Sequence, residues 1–297
     1  MTIIRLRWRA PVAVLMVLTC LEIPRSTAQD SAPQTNAPLE NRAADNTQTA
    51  PGADLPTTTG TKQLTNYAEA GGDYLGLTDG FGHWAGGYAR GVVTQGNSTW
   101  NGEVNGQYEF GDAGVYLGAG DSYNFNSEWY GWLAIGSSVG GFFWPRFRAD
   151  GFINKKWMSR KQLITTIGLG YYAAKDVHRD HSFFAGSTYY FTKPWILEGG
   201  IRFNVSNPGS VFSPAAFIAV TQGRNQHHYI VVRSGFGKEA FQLIGPTVVL
   251  SDFPSQTLTV TWRQWVSTNW GFNLVGDFYH SPFYMRAGAS FGFFREF

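Results

Sequence analysis

The sequence predicts an all-β protein, an antiparallel transmembrane β-barrel of about fourteen strands, with twelve as the alternative count. Three observations carry that expectation. In the closing stretch 285–297, Ala287, Ala289, Phe291, Phe293 and Phe297 share one register, and Arg286, Gly288, Ser290, Gly292 and Glu296 share the other. A period of two places these sets on opposite faces of a strand. A charged face opposite an aromatic one suits a polar lumen inside and lipid outside. Second, the chain of 297 residues holds 36 glycines and 16% aromatics. That combination fits strands bordered by aromatic girdles, with glycine where strands pack closely or bend. Third, short alternating segments recur from about residue 64 to the end, without the three-and-four spacing of an amphipathic helix.

The chain opens on a segment with the marks of a secretory signal. Arg5, Arg7 and Arg9 form a positive start, 11–21 is apolar, and Ser26-Thr-Ala28 offers a small-x-small cleavage site. Cys20, the one cysteine, lies inside it. A mature chain beginning at Gln29 would have no thiol chemistry, disulfide or Cys-based metal site. Residues 29–63 are rich in Ala, Pro, Thr, Asn and Gln and read as a disordered periplasmic tail, too poor in apolar area to offset ordering entropy. The barrel is expected over 64–297.

Net charge is +2. Four arginines and one glutamate fall in residues 1–28, so the remainder carries 23 − 4 = 19 basic and 21 − 1 = 20 acidic residues. Near-neutrality gives no reason to expect a nucleic-acid partner.

Strands are legible from alternation. Asn101, Glu103, Asn105, Gln107 and Glu109 interleave with Val104, Tyr108 and Phe110; Glu198 and Arg202 interleave with Trp195, Leu197, Ile201 and Phe203; Thr257, Thr259, Thr261 and Arg263 interleave with Leu258, Val260 and Trp262. Six connections are very short: 96–99, 126–128, 158–160, 192–194, 223–226 and 267–269. Trp100, Trp129, Trp157, Trp195 and Trp270 stand beside five of them and Tyr229 beside the sixth. Amphipathic rings beside every short turn predict a girdle at one membrane interface. The other connections are mostly longer: 76–83, 139–145, 175–181, 206–212 and 238–254, with tight turns at 111–114 and 281–282. Short periplasmic turns and longer extracellular loops are the usual asymmetry of such barrels.

The chain ends on a phenylalanine closing an alternating strand. This resembles the C-terminal signal of bacterial outer-membrane barrels, which implies that Phe291, Phe293 and Phe297 are read by the barrel-assembly machinery. Arg295 departs from that signal. The chain also resembles the YaiO-type outer-membrane β-barrel family over about 64–297. The segments carrying the likeness are Glu69-Ala-Gly-Gly-Asp-Tyr74, Gly141-Phe-Phe-Trp-Pro-Arg146, Leu169-Gly-Tyr-Tyr-Ala-Ala-Lys-Asp176, Pro194-Trp195 with Glu198-Gly-Gly-Ile-Arg202, Thr261-Trp-Arg-Gln-Trp265, and Phe291–Phe297. The resemblance implies an outer-membrane barrel surrounded by lipid and assigns no chemistry.

The inward register is the functional lead. It should hold Glu69, Asp73, Arg90, Glu103, Glu109, Arg148, Asp150, Glu198, Arg202, Arg233, Arg263, Asp277, Arg286 and Glu296. Both signs in similar number suit either a lumen that selects small polar solutes or saccharides, or an interior braced by Arg–carboxylate pairs. The loop 238–254 is too apolar for open water. It either folds into the mouth or extends two strands. The run Asp176-Val-His178-Arg-Asp180-His181-Ser182 holds the residue types of a hydrolase, but its spacing matches no metal or nucleophile motif, and no Gly-x-Ser-x-Gly elbow exists. A solvated polar loop is the expectation there. Phe142-Phe143-Trp144 and Tyr171-Tyr172 read as interface girdle before they read as a sugar path. No cofactor, metal or catalytic residue is expected. The functional expectation is a channel or export component, ahead of a structural or assembly barrel with a blocked lumen and a rim enzyme acting on lipid or glycan.

Overall fold

The structure, a computed structural model, describes residues 66–192 and 194–297. The expected signal at 1–28 and tail at 29–63 lie outside the described residues. Fourteen strands follow in order: β1 (Tyr67–Leu77), β2 (His83–Gln95), β3 (Ser98–Glu109), β4 (Asp112–Asn124), β5 (Trp129–Gly140), β6 (Phe147–Trp157) and β7 (Leu163–Ala173), then β8 (Arg179–Tyr190), β9 (Trp195–Asn207), β10 (Val211–Arg224), β11 (His228–Leu243), β12 (Val249–Trp265), β13 (Trp270–His280) and β14 (Met285–Glu296). Each pairs antiparallel with its chain neighbours. The sheet closes where β1 meets β14, with Tyr67 opposite Glu296 and Leu77 opposite Arg286. Closure gives every strand two partners, the one way a sheet satisfies its backbone groups in hydrocarbon.

Alternation decides which way each side chain faces. Leu133, Ile167, Leu169 and Phe293 point outward and are exposed, whereas Glu69, Asp150 and Arg286 point inward and are buried. Large apolar groups outside and carboxylates inside invert a soluble protein and suit a wall between lipid and a polar lumen. The closing strand follows the predicted registers, with Phe291, Phe293 and Phe297 outward and Arg286 and Glu296 inward.

One end carries the six short turns together with residue 66 and the C-terminus, where the Phe297 N–H donates to Asn66 O over 3.0 Å. The other end is the mouth. Its connections are shorter than the sequence suggests because the strands run on. The segment expected as a loop at 238–254 is mostly hairpin, with only 244–248 outside β11 and β12. The ladder skips the Ala240–Asp252 pair, where Asp252 takes a left-handed φ of 44°. Beyond that break Ala240 and Phe241 are buried with Val211 and Val249 against them. The hairpin both extends and leans over the mouth, which accounts for its apolar composition.

Two aromatic expectations change. Trp100, Trp129, Trp157, Trp195 and Trp270 face outward and are exposed at the short-turn end. Lys155 adds a cation there, 3.9 Å from the Trp157 ring and 4.9 Å from that of Trp129. Tyr229 does not join them. Ile230 and Val232 take the outward positions of β11, so Tyr229 faces the lumen and packs edge-on against Trp265 at 5.6 Å. Phe143 and Trp144 are not girdle residues either: both are buried with Tyr116 inside the mouth.

Candidate functional site

The site is the lumen and its mouth. Fourteen strands about 4.8 Å apart, tilted about 40°, enclose a cylinder about 28 Å across between backbone walls. Side chains of ordinary length cannot fill that width.

Near the short-turn end, Glu69 is the hub of a charged network. Its side chain is fully buried and accepts from Tyr88 Oη at 2.9 Å, Arg90 Nη2 at 2.8 Å and Arg263 Nη1 at 3.2 Å. Arg263 also approaches Glu296 at 3.9 Å and lies 3.5 Å from the Phe294 ring. Higher on the wall Arg286 donates two hydrogen bonds to Asp277, at 2.9 and 3.1 Å, and Gln107 donates to Asp73 at 2.8 Å. Arg148 pairs with Asp150 on its own strand. Glu198 lies opposite Ala219, which lies opposite Arg233, so these two share a row. Arg202 donates to Ser182 at 3.4 Å. Glu103 stands opposite Arg90 in the ladder, and Glu109 is buried at the mouth end of β3. The structure thus places all fourteen lumen candidates on the inner face. Their partners lie on the same strand or on strands at most three apart around the barrel. Bonds of this kind run along the wall.

Three aromatics not expected in the lumen, and Tyr229, which was expected in the girdle, complete the site. Phe294, Trp265, Tyr67 and Tyr229 surround the guanidinium of Arg263, which lies 5.0 Å from the Trp265 ring and 5.2 Å from that of Tyr67. Parity could have found two of them. Phe294 shares the register of Arg286 and Glu296, and Tyr229 shares that of Arg233.

The mouth is narrowed by two side-chain chords. Tyr284 and Phe110 come from connections four strands apart, which the barrel would hold roughly 22 Å apart; their ring centroids stand 6.2 Å apart. His178, just before β8, and Phe241, on β11 three strands away, meet at 4.1 Å. Gln242 links the chords by donating to Tyr284 Oη. Burial pushes the Tyr284 hydroxyl above its ordinary range, with Arg286 opposing. Phe110 sits with Gly111 in a two-residue turn, with φ of 49° and 83°. A primed hairpin turn asks for positive φ at both positions, and a bulky residue there is strained. Packing on Trp84 at 5.1 Å and Phe81 at 6.1 Å holds it in place. At the neighbouring loop Lys175 donates to Gly140 O, and partial burial lowers its ammonium from the ordinary lysine value.

The hydrolase-like residues are not brought together. His181 faces outward against Tyr171 at 5.2 Å, and Ser182 faces inward to Arg202. His178 pairs with Asp176 at 2.6 Å in the mouth. Among the described residues no group of three metal-ligating side chains occurs.

A closed sheet of this size, with lipid-type residues outside and ion pairs inside, agrees with the family whose signature covers residues 65–242, the YaiO membrane beta barrel domain. The chain belongs to the YaiO membrane β-barrel family. Among solved structures this YaiO barrel is similar to the CymD monoaromatic hydrocarbon channel, at 6% identity and a TM-score of 0.57, over 80% of this chain and 89% of that one. It is similar to the Pseudomonas putida toluene transporter TodX at 11% identity and a TM-score of 0.51, over 80% and 90%. At such identities the likeness shows the fold alone. No curated protein matches the chain.

Proposed function

We propose that the barrel resides in an outer membrane and conducts small polar solutes, saccharides among them, with its mouth loops setting the aperture. One observation supports this above the rest. The inward ion pairs link near-neighbour strands and brace the wall without crossing the lumen. A barrel about 28 Å wide then keeps a polar path down its middle. The similar folds of a hydrocarbon channel and a toluene transporter fit a transport role. The outward Phe291, Phe293 and Phe297 fit recognition by an assembly machinery at insertion.

The experiment is single-channel recording of the refolded protein in a planar bilayer at several salt concentrations. Stable steps proportional to voltage are expected. A second reading, a structural barrel closed at the top, draws on the two mouth chords and the Gln242–Tyr284 bond. Silence at high protein occupancy would favour it.

A further inference from the structure

We propose that one side of the lumen wall carries a saccharide-binding track formed by Trp132, Phe152, Phe184 and Phe217. The inference rests on the channel reading above and names its substrate class. The four rings face inward on β5, β6, β8 and β10, and successive centroids stand 5.3, 5.6 and 6.3 Å apart. Phe184 and Phe217 lie within 11° of parallel. All four are half-buried.

Glycine makes the flat arrangement fit. A Cβ added at Gly168 would meet Phe152 at 2.3 Å, and one at Gly200 would meet Phe184 at 2.6 Å and Phe217 at 2.8 Å. The rings occupy space that side chains at those positions would take, so they line the wall.

The track also climbs. Trp132 is the fourth residue of β5 counted from Trp129, and Phe152 the sixth of β6 counted back from Trp157. Phe184 is the seventh of β8 counted back from Tyr190, and Phe217 the eighth of β10 counted back from Arg224. Trp132 pairs with Phe152 across the ladder. Such rows run perpendicular to the strands, so strand tilt carries them obliquely up the wall. A linear ligand could move from ring to ring along the axis.

Polar groups flank the rings. Arg233 stacks over the Phe217 ring at 3.5 Å, so at that end of the row a ligand meets the guanidinium, and Arg202 lies 6.0 Å from the Phe184 ring. Thr166 donates to Asn154 at 2.7 Å, two residues from Phe152. A pyranose ring has an apolar C–H face that stacks on an aromatic ring and hydroxyls at its rim that hydrogen-bond to such neighbours. A hydrocarbon solute could use the rings and would have nothing to offer the flanking charges. The combination favours saccharide.

The test is current recording on the full-length protein with maltohexaose, cellohexaose or toluene added. Blockade by at least one oligosaccharide is expected. In the Phe184→Ala/Phe217→Ala variant the half-blocking concentration should rise roughly fivefold or more, the equivalent of one lost stacking contact. The Phe184→Tyr/Phe217→Tyr variant should restore it. Should the alanine pair not fold, Phe184→Leu keeps most of the volume and removes the π face, and the same rise is expected. Normal conductance with no oligosaccharide blockade overturns the track, as does blockade by toluene alone. Absence of conductance counts against the channel reading only. In that case the wild-type minus Trp132→Phe difference in fluorescence, titrated with the same sugars, decides the track, and a flat difference overturns it.

Discussion

Arg263 Nη1 and Glu69 Oε2 meet at 3.2 Å across 194 residues of sequence and three strands of the closed sheet. The contact exists only because β14 pairs with β1. It ties both sides of the closing seam, and with Arg90 and Tyr88 it gives the Glu69 carboxylate three donors. Replacing Glu69 with Ala removes the carboxylate that two guanidinium groups share on the inner wall and leaves Arg263 only the longer contact to Glu296 at 3.9 Å. Loss of one member of a buried pair costs about 3 kcal/mol, and we expect that order of destabilisation. Urea unfolding in micelles, followed by gel mobility, checks it. A loss below about 1 kcal/mol, the scale of an exposed pair, would show the network to be solvated and weak.

Phe110 is strained in its turn and held by the mouth cluster. Phe110→Asn relieves roughly 1 kcal/mol of backbone strain and forfeits ring contacts of about 0.5–1.5 kcal/mol each. With three such contacts, to Trp84, Phe81 and Tyr284, the ring term outweighs the strain, so the expected result is a net destabilisation of about 0.5–3.5 kcal/mol with a larger open-channel conductance, since the Tyr284–Phe110 chord is lost. Unchanged conductance would mean that this chord does not limit flow.

Gly136 lies under Tyr116, where a new Cβ would stand 1.9 Å from the hydroxyl. Tyr116 is stacked on Trp144 at 5.1 Å and cannot swing aside freely. Gly136→Ala should destabilise by about 1–3 kcal/mol through overpacking. Gly276 has nothing within 4 Å of a built Cβ, so Gly276→Ala should be neutral or stabilising by up to about 1 kcal/mol. Thermal unfolding of the two variants side by side is the check, and equal effects would contradict the packing assigned to Tyr116.

Carboxylates outnumber cations on the inner face. Glu69, Asp73, Glu103, Asp150, Asp180, Glu198, Asp277 and Glu296 stand with Arg90, Arg148, Lys156, Arg202, Arg233, Arg263 and Arg286, and Glu109 and Glu239 add to the acidic side at the mouth. A weak preference for cations follows. Reversal potentials under a salt gradient should show it at low ionic strength and lose it as screening grows. A preference for anions would contradict this.

The closed sheet, its antiparallel order and the inward charges were legible in the sequence. Alternation is a local property, and a period of two fixes the facing side of each residue once one strand is oriented. The inward facing of Arg286 and Glu296 was readable for that reason, and the outward facing of Trp100, Trp129, Trp157, Trp195 and Trp270 obeys the same rule. Tyr229 was misread because its place beside a turn was weighed above its parity with Arg233.

Tertiary structure alone decided the rest. Which cation meets which carboxylate depends on register between strands distant in sequence, as with Arg263 and Glu69. The aromatic row depends on four rings from four strands meeting, with Phe152, Phe184 and Phe217 lying over glycines of their neighbours. The mouth depends on how far the 238–254 hairpin leans, which is set by contacts with His178 and Tyr284 from other loops. Local pattern determines facing, because each pleat is built by two residues; partnership needs the closed sheet, because only closure brings those faces together.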